Sequence, residues 1–123
     1  MTAGDQGFPK KVRLRKRPQF LAVGQKGRKV HTAHFLLLWL PNQLPHSRLG
    51  ITVTRKVAGA VGRNRVKRMV REAFRTAGAE MLRGVDVVVI AKKQAHRLAG
   101  AQVAAELEQA WMRIQKQLQK NPP

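Results

Sequence analysis

Cysteine and tyrosine are absent from this 123-residue sequence, only six residues are Asp or Glu, and aromatic residues make up just 5% of the chain. Without cysteine there is no disulfide, no thiolate metal site and no thiol nucleophile, which agrees with a reducing compartment. The scarcity of acids bears on catalysis. A protein nuclease needs clustered carboxylates to hold metal ions, or a positioned acid and base. Asp5, Glu72, Glu80, Asp86, Glu106 and Glu108 form no i,i+3 or i,i+4 pair, and Glu106 and Glu108 point to different sides of their helix. His31 and His34 face opposite sides if their strand is unbroken, while His46 and His96 sit beside turns. No Gly-rich phosphate loop is present. No segment approaches the ~20 apolar residues of a transmembrane helix, and no signal-peptide run follows the basic start, so a cytoplasmic location is expected.

What the sequence does hold is cationic charge. Twenty-five Lys and Arg give a formal net charge of +19, which opposes compactness by self-repulsion and favours phosphate binding through counterion release. Nucleic acid is therefore the leading partner class. Neither a membrane nor a protein partner is indicated, because the apolar stripes are needed for a core. The length suits one domain, read as residues 10–120 between a flexible start at 1–9 and a tail at 121–123.

The charge concentrates in residues 55–75, where Arg or Lys stands at 55, 56, 63, 65, 67, 68, 71 and 75 against the single acid Glu72. On a helix at about 100° per residue, Val66, Met69, Val70, Ala73, Phe74 and Ala77 share an arc of about 140°, a core-facing stripe. Lys67, Arg71, Asn64, Arg75 and Arg68 gather on a neighbouring arc of about 100°, with Arg65 further round near Glu72. Solvated helices intersperse Glu with Lys at i,i+4, and this one-sided run points instead to a polyanion.

Along the rest of the chain, residues 10–17 read as an extended basic arm that anchors Leu14 and presents Arg13 and Lys16. Pro18 suits the first turn of a short helix at about 18–25, ended by Gly24 and Gly27. Residues 28–40 are strand-like, broken near Thr32, with Phe35, Leu37 and Trp39 on one face and Leu36, Leu38 and Leu40 on the other. A loop at 41–45 leads to an alternating strand at 48–54. It sets Leu49, Ile51 and Val53 toward a core and Gly50, Thr52 and Thr54 toward a small polar surface. Gly78 is expected as a C-cap, followed by a helical turn at 79–82, a strand at 86–92 and a long amphipathic helix at 101–120. The order strand, helix, strand suggests a parallel crossover, right-handed by default.

The central stretch closely resembles the signature of the protein subunit of bacterial ribonuclease P. The family pattern is a basic pair, a small-residue turn, Ala-Val, then Arg-Asn-x-x-Lys-Arg-x-x-Arg and a Phe. It matches Arg55-Lys56, Ala60-Val61, Arg63-Asn64, Lys67-Arg68, Arg71 and Phe74. Weaker landmarks fall at Leu14, Phe20, Gly27, Phe35 and Asp86, while the usual Gly-Asn before Ala-Val reads Ala58-Gly59. The resemblance implies an α+β fold: a single-domain α/β sandwich with a small mixed sheet, helix-strands-helix-strand-helix order and a left-handed β-α-β crossover, like the second domain of ribosomal protein S5. It also implies that an RNA subunit cuts the precursor tRNA with Mg²⁺ while the protein assists. Arg63, Asn64, Arg65, Lys67, Arg68 and Arg71, with Arg55 and Lys56, resemble the family's RNA-contacting residues. Phe20 and the sheet surface around it, with Arg13, Lys16, Thr52 and Thr54, resemble the cleft for the single-stranded 5′ leader. Gly24 and Leu38 stand where the family can carry Phe and Tyr, which weakens base stacking there. No catalytic or metal-ligating residue is assigned to this chain. A ribosomal protein fits the composition equally well, whereas a DNA-reading helix conflicts with the core stripe at Val66, Met69 and Val70.

Overall fold

A computed structural model describes residues 10–14 and 16–120; the start at 1–9 expected to be flexible, Arg15 of the expected basic arm and the expected tail at 121–123 lie outside the described residues. Four strands form one mixed sheet: β1 (Arg28–His31), β2 (Phe35–Pro41), β3 (Arg48–Thr52) and β4 (Val85–Ala91), in the spatial order β1-β2-β4-β3. β2 runs antiparallel to β1 and β4, and β3 runs parallel to β4. The expected break near Thr32 is a reversal. The Thr32 amide donates to the Phe35 carbonyl at 2.8 Å and the Phe35 amide to Thr32 Oγ1 at 3.0 Å, so the hydroxyl closes the turn. The strand expected at 48–54 ends at Thr52. Beyond it Thr54 accepts the Val57 amide at 3.0 Å in a turn, so Thr54 lies outside the sheet.

Period-two alternation sorts the sheet into two faces. Val30, Leu37, Val89 and Ile51 lie in one cross-strand row, and Trp39, Val87 and Leu49 in the next. Helices α2 (Ala60–Ala73) and α3 (Gly100–Lys120) cover this face, α2 with Val66, Val70 and Ala73 and α3 with Val103, Leu107, Ala110, Trp111 and Ile114, all buried. Each fully buried Val, Leu or Ile contributes about 1.5–3 kcal/mol. α2 continues through a π-helical turn at Phe74–Gly78 and a last turn at Ala79–Met81. Gly78 is not the expected C-cap. Its backbone is helical at φ −62°, and a Cβ there would stand 2.9 Å from both Phe74 and Trp111. Glycine is required by this close approach, where Phe74 meets Trp111 edge to face at 6.0 Å. The chain leaves the helix at Leu82 and turns at Gly84, whose φ is +76°.

The other face carries α1 (Arg17–Lys26), which passes through Gly24 and stops at Gly27. Under it Leu14, Val23 and Val88 form a small buried cluster, with Phe20, Leu38, Leu40 and Ile90 packed around it. The arm before α1 differs from the extended form expected. It makes a 3₁₀ turn at Lys10–Val12, then pairs briefly with the free edge of β3, Leu14 donating to the Leu49 carbonyl at 2.9 Å. Leu14 is anchored as expected, 5% exposed.

Candidate nucleic-acid interface

α2 separates its residues as the helical wheel requires. Val66 and Val70 are fully buried, Met69 and Ala77 half-buried, and Asn64, Arg65, Arg68 and Arg71 exposed. Arg63 and Lys67 are half-buried at the boundary, and Arg55 and Lys56 are exposed in the turn before the helix. The cations are not equivalent. Arg63 Nη1 donates to the Ala58 carbonyl at 3.1 Å, fastening the turn that enters the helix. Arg65 donates through Nε to the His96 carbonyl at 3.3 Å and through Nη2 to the Leu98 carbonyl at 2.7 Å. It therefore clamps the segment before α3 and does not meet Glu72. That acid pairs with Arg75, whose hydrogen bond holds the Glu72 carboxyl below the ordinary carboxylate range.

The exposed arc of α2 continues into the sheet surface. Arg13, Phe20, Gly50, Ile51, Lys67 and Arg71 line a pocket of about 140 Å³ together with Leu14 and Leu49. Arg71, exposed as a residue, is partly desolvated where it lines the recess, which lowers its guanidinium pKa, and the positive charge of Arg13 lowers it further. Two guanidiniums and an ammonium held around one recess favour an anion between them. The Phe20 ring forms a wall. A Cβ on Gly50 would lie 2.6 Å and 2.7 Å from two of its atoms, so the ring occupies the space that glycine leaves free. Phe20 is half-buried, packing on the small cluster while lining the recess.

The other residues expected at a cleft divide. Thr52 follows Gly50 on the same face, half-buried beside Ile90, whereas Thr54 has left the strand and Lys16 is exposed outside the recess at the start of α1. Gly24 has nothing within 4 Å of a Cβ position, and Leu38 packs among the small cluster. Among the described residues no second aromatic ring lines the recess beside Phe20.

Arg48, Asp86, Glu106 and His34 are tied into the fold. Arg48 grips the buried Asp86 with two hydrogen bonds of 2.8 Å and 2.7 Å, and Asn42 adds a third at 2.8 Å. Glu106 accepts from the Thr32 hydroxyl and the His34 amide and contacts His34 Nδ1 at 2.8 Å. Burial opposes its ionisation, but the bonds from Thr32 and His34 outweigh that and leave its pKa lowered. These partners are 38 to 74 residues apart in sequence, a separation that no local pattern announces. Among the described residues no group of three His, Asp or Glu could hold a metal ion, and no helix is long and apolar enough to cross a membrane.

A family model described as Ribonuclease P matches residues 8–115. The ribonuclease P protein component of Desulfatibacillum aliphaticivorans is 46% identical over 111 residues, covering 90% of this chain and 94% of that protein. Among solved structures, the RNase P protein of Thermotoga maritima superposes with a TM-score of 0.76 at 36% identity, covering 82% of this chain and 96% of that one. The Staphylococcus aureus RNase P protein gives a TM-score of 0.75 at 31% identity, covering 84% and 94%.

Proposed function

The chain belongs to the ribonuclease P protein family and supplies the protein subunit of that tRNA-processing enzyme, in association with its RNA subunit; from this premise we propose that it works by holding the 5′ leader of precursor tRNA beside the catalytic RNA. The observation that carries the reading is the single recess in which Arg13, Lys67 and Arg71 meet the ring of Phe20 and the bare backbone of Gly50. Cations around an aromatic wall suit one phosphate of an extended strand with a base resting on the ring. Arg68, Asn64, Arg55 and Lys56, exposed beyond the recess, are left for the catalytic RNA, with Arg63 and Arg65 holding the helix in place. Thr52 extends the strip along which the leader runs, and Lys16 guards its entrance. The catalytic groups and the Mg²⁺ belong to the RNA subunit. Precursor tRNA is the substrate, and the cytoplasm is the place of action. Nothing favours the ribosomal-protein alternative.

The test uses the assembled holoenzyme and precursor tRNAs that differ only in leader length. The reading expects the protein to increase affinity for leader-bearing precursor over mature tRNA, and expects RNA-free protein with Mg²⁺ to make no accurate 5′ cut. Equal affinity for both RNAs, or accurate cleavage by the protein alone, overturns it.

A further inference from the structure

The edge of the sheet opposite the recess carries a second cationic surface. β1 exposes Arg28, Lys29 and His31, and α3, which packs against β1, exposes Arg113, Lys116 and Lys120 toward its C-terminal end. None of the five Lys and Arg has an ion-pair partner among the described residues; Glu106 of the same helix is committed to the turn at Thr32 and His34, and Glu108 makes no ion pair. Two of the arginines are held ready. Arg113 Nη1 donates to the His31 carbonyl at 2.8 Å, and the Arg28 guanidinium lies 5.8 Å from the centre of the Trp39 ring. Fixing a long side chain before contact reduces the rotamer entropy lost on binding and leaves the other guanidinium donors free.

This patch is separated from the first by the width of the sheet. The arm and α2 flank β3, and β1 is the far strand in the order β1-β2-β4-β3. Three strand spacings amount to roughly 14 Å, so one phosphate cannot serve both edges. An exposed strand edge with cations along it also resists pairing with another sheet. That role alone would not require the charges to continue along α3 at 113, 116 and 120, spaced i, i+3 and i+7 on one stripe.

We propose that the β1 edge and the C-terminal half of α3 form a second RNA-backbone surface that takes a separate phosphodiester segment of the catalytic RNA, so that one chain bridges two stretches of RNA. The test replaces Lys29, Lys116 and Lys120 together with Gln, leaving Arg28 and Arg113 in their structural bonds. Binding to the catalytic RNA is then measured against salt concentration. The proposal expects the slope of log affinity to fall by about 2 to 3, since each phosphate contributes about 0.7 to 0.9, with the melting temperature unchanged. It expects a further, additive fall when Lys67→Ala and Arg71→Ala are added, because the two edges neutralise different phosphates. An unchanged slope marks the patch as a solvated face and overturns the proposal. So does a non-additive combination, which would put both edges on one segment. Loss of binding to anionic phospholipid vesicles with RNA binding intact would assign the patch to a membrane and equally overturn it.

Discussion

The two faces of the sheet use the same strands for opposite ends. On one, Phe35, Leu37, Trp39, Val87 and Val89 disappear beneath α2 and α3. On the other, the small α1 sets Val23 against Leu14 and Val88, and the row of Thr52, Ile90, Leu36 and His31 stays partly open. The difference shows how a strand apolar on both sides is to be understood. A run such as Phe35 to Leu40 lacks polar alternation either because it is buried twice or because one side is kept for a ligand. Here one face stabilises the domain, and the other is spared full burial so that a recess remains.

The most severe way to test that division is to open the filled face. Trp111→Ala removes a fully buried ring that meets Phe74 edge to face, and a loss of about 3–5 kcal/mol is expected in urea unfolding. A loss below about 1 kcal/mol would mean that the filled face is not where stability resides. On the open face, Phe20→Ala should weaken holoenzyme binding of leader-bearing precursor by about ten-fold, since base stacking on an aromatic ring is worth ~1–3 kcal/mol. Mature tRNA should be unaffected. Gly50→Ala, which drives a methyl into the Phe20 ring, should give the same selective defect. Equal weakening of both RNAs would return Phe20 to the core.

At the boundary between the faces, Lys67→Ala with Arg71→Ala should lower the salt slope of RNA affinity by about 1.4 to 1.8. Stability should change little, because neither side chain belongs to the buried stripe. An unchanged slope in a folded variant would remove the recess from the RNA contact. The smallest effect concerns pH. A carboxyl whose pKa is lower in the folded chain stabilises it above the ordinary value near 4.5, and that stabilisation is lost as pH falls through the folded pKa. Glu106→Gln should therefore flatten the acid limb of the melting-temperature profile below about pH 4.5, and an acid limb identical to that of the parent would show that the hairpin clasp contributes nothing.

Local pattern was enough for α2, because Val66, Val70 and Phe74 recur at the helical period and leave the cations the neighbouring arc. It was enough as well for the break near Thr32, the alternation of β3 up to Thr52 and the anchoring of Leu14. The recess itself depends on Gly50 admitting the Phe20 ring, and glycine in a strand says only that space is needed, not for what. Gly78 misled for the same reason. A glycine near a helix end is usually a C-cap, and here the bulk of Trp111, 33 positions later, required it. The carbonyl bonds of Arg65 to His96 and Leu98 were not legible, because charge patterns do not reveal which cation finds a carbonyl. The bonds of Asp86 to Arg48 and of Glu106 to Thr32 and His34 were equally hidden, since they form only when the sheet closes.

That closure has an order built into it. β4 lies between β2 and β3 and is hydrogen-bonded to both, although it follows them in the chain with the whole of α2 intervening. Without β4 the sheet has a vacant slot in its middle, and the stripe of Val66, Val70 and Phe74 lacks part of its floor. β2 and β3 are not neighbours, so only the last third of the sequence joins them, and the sheet closes entirely through contacts of long sequence separation.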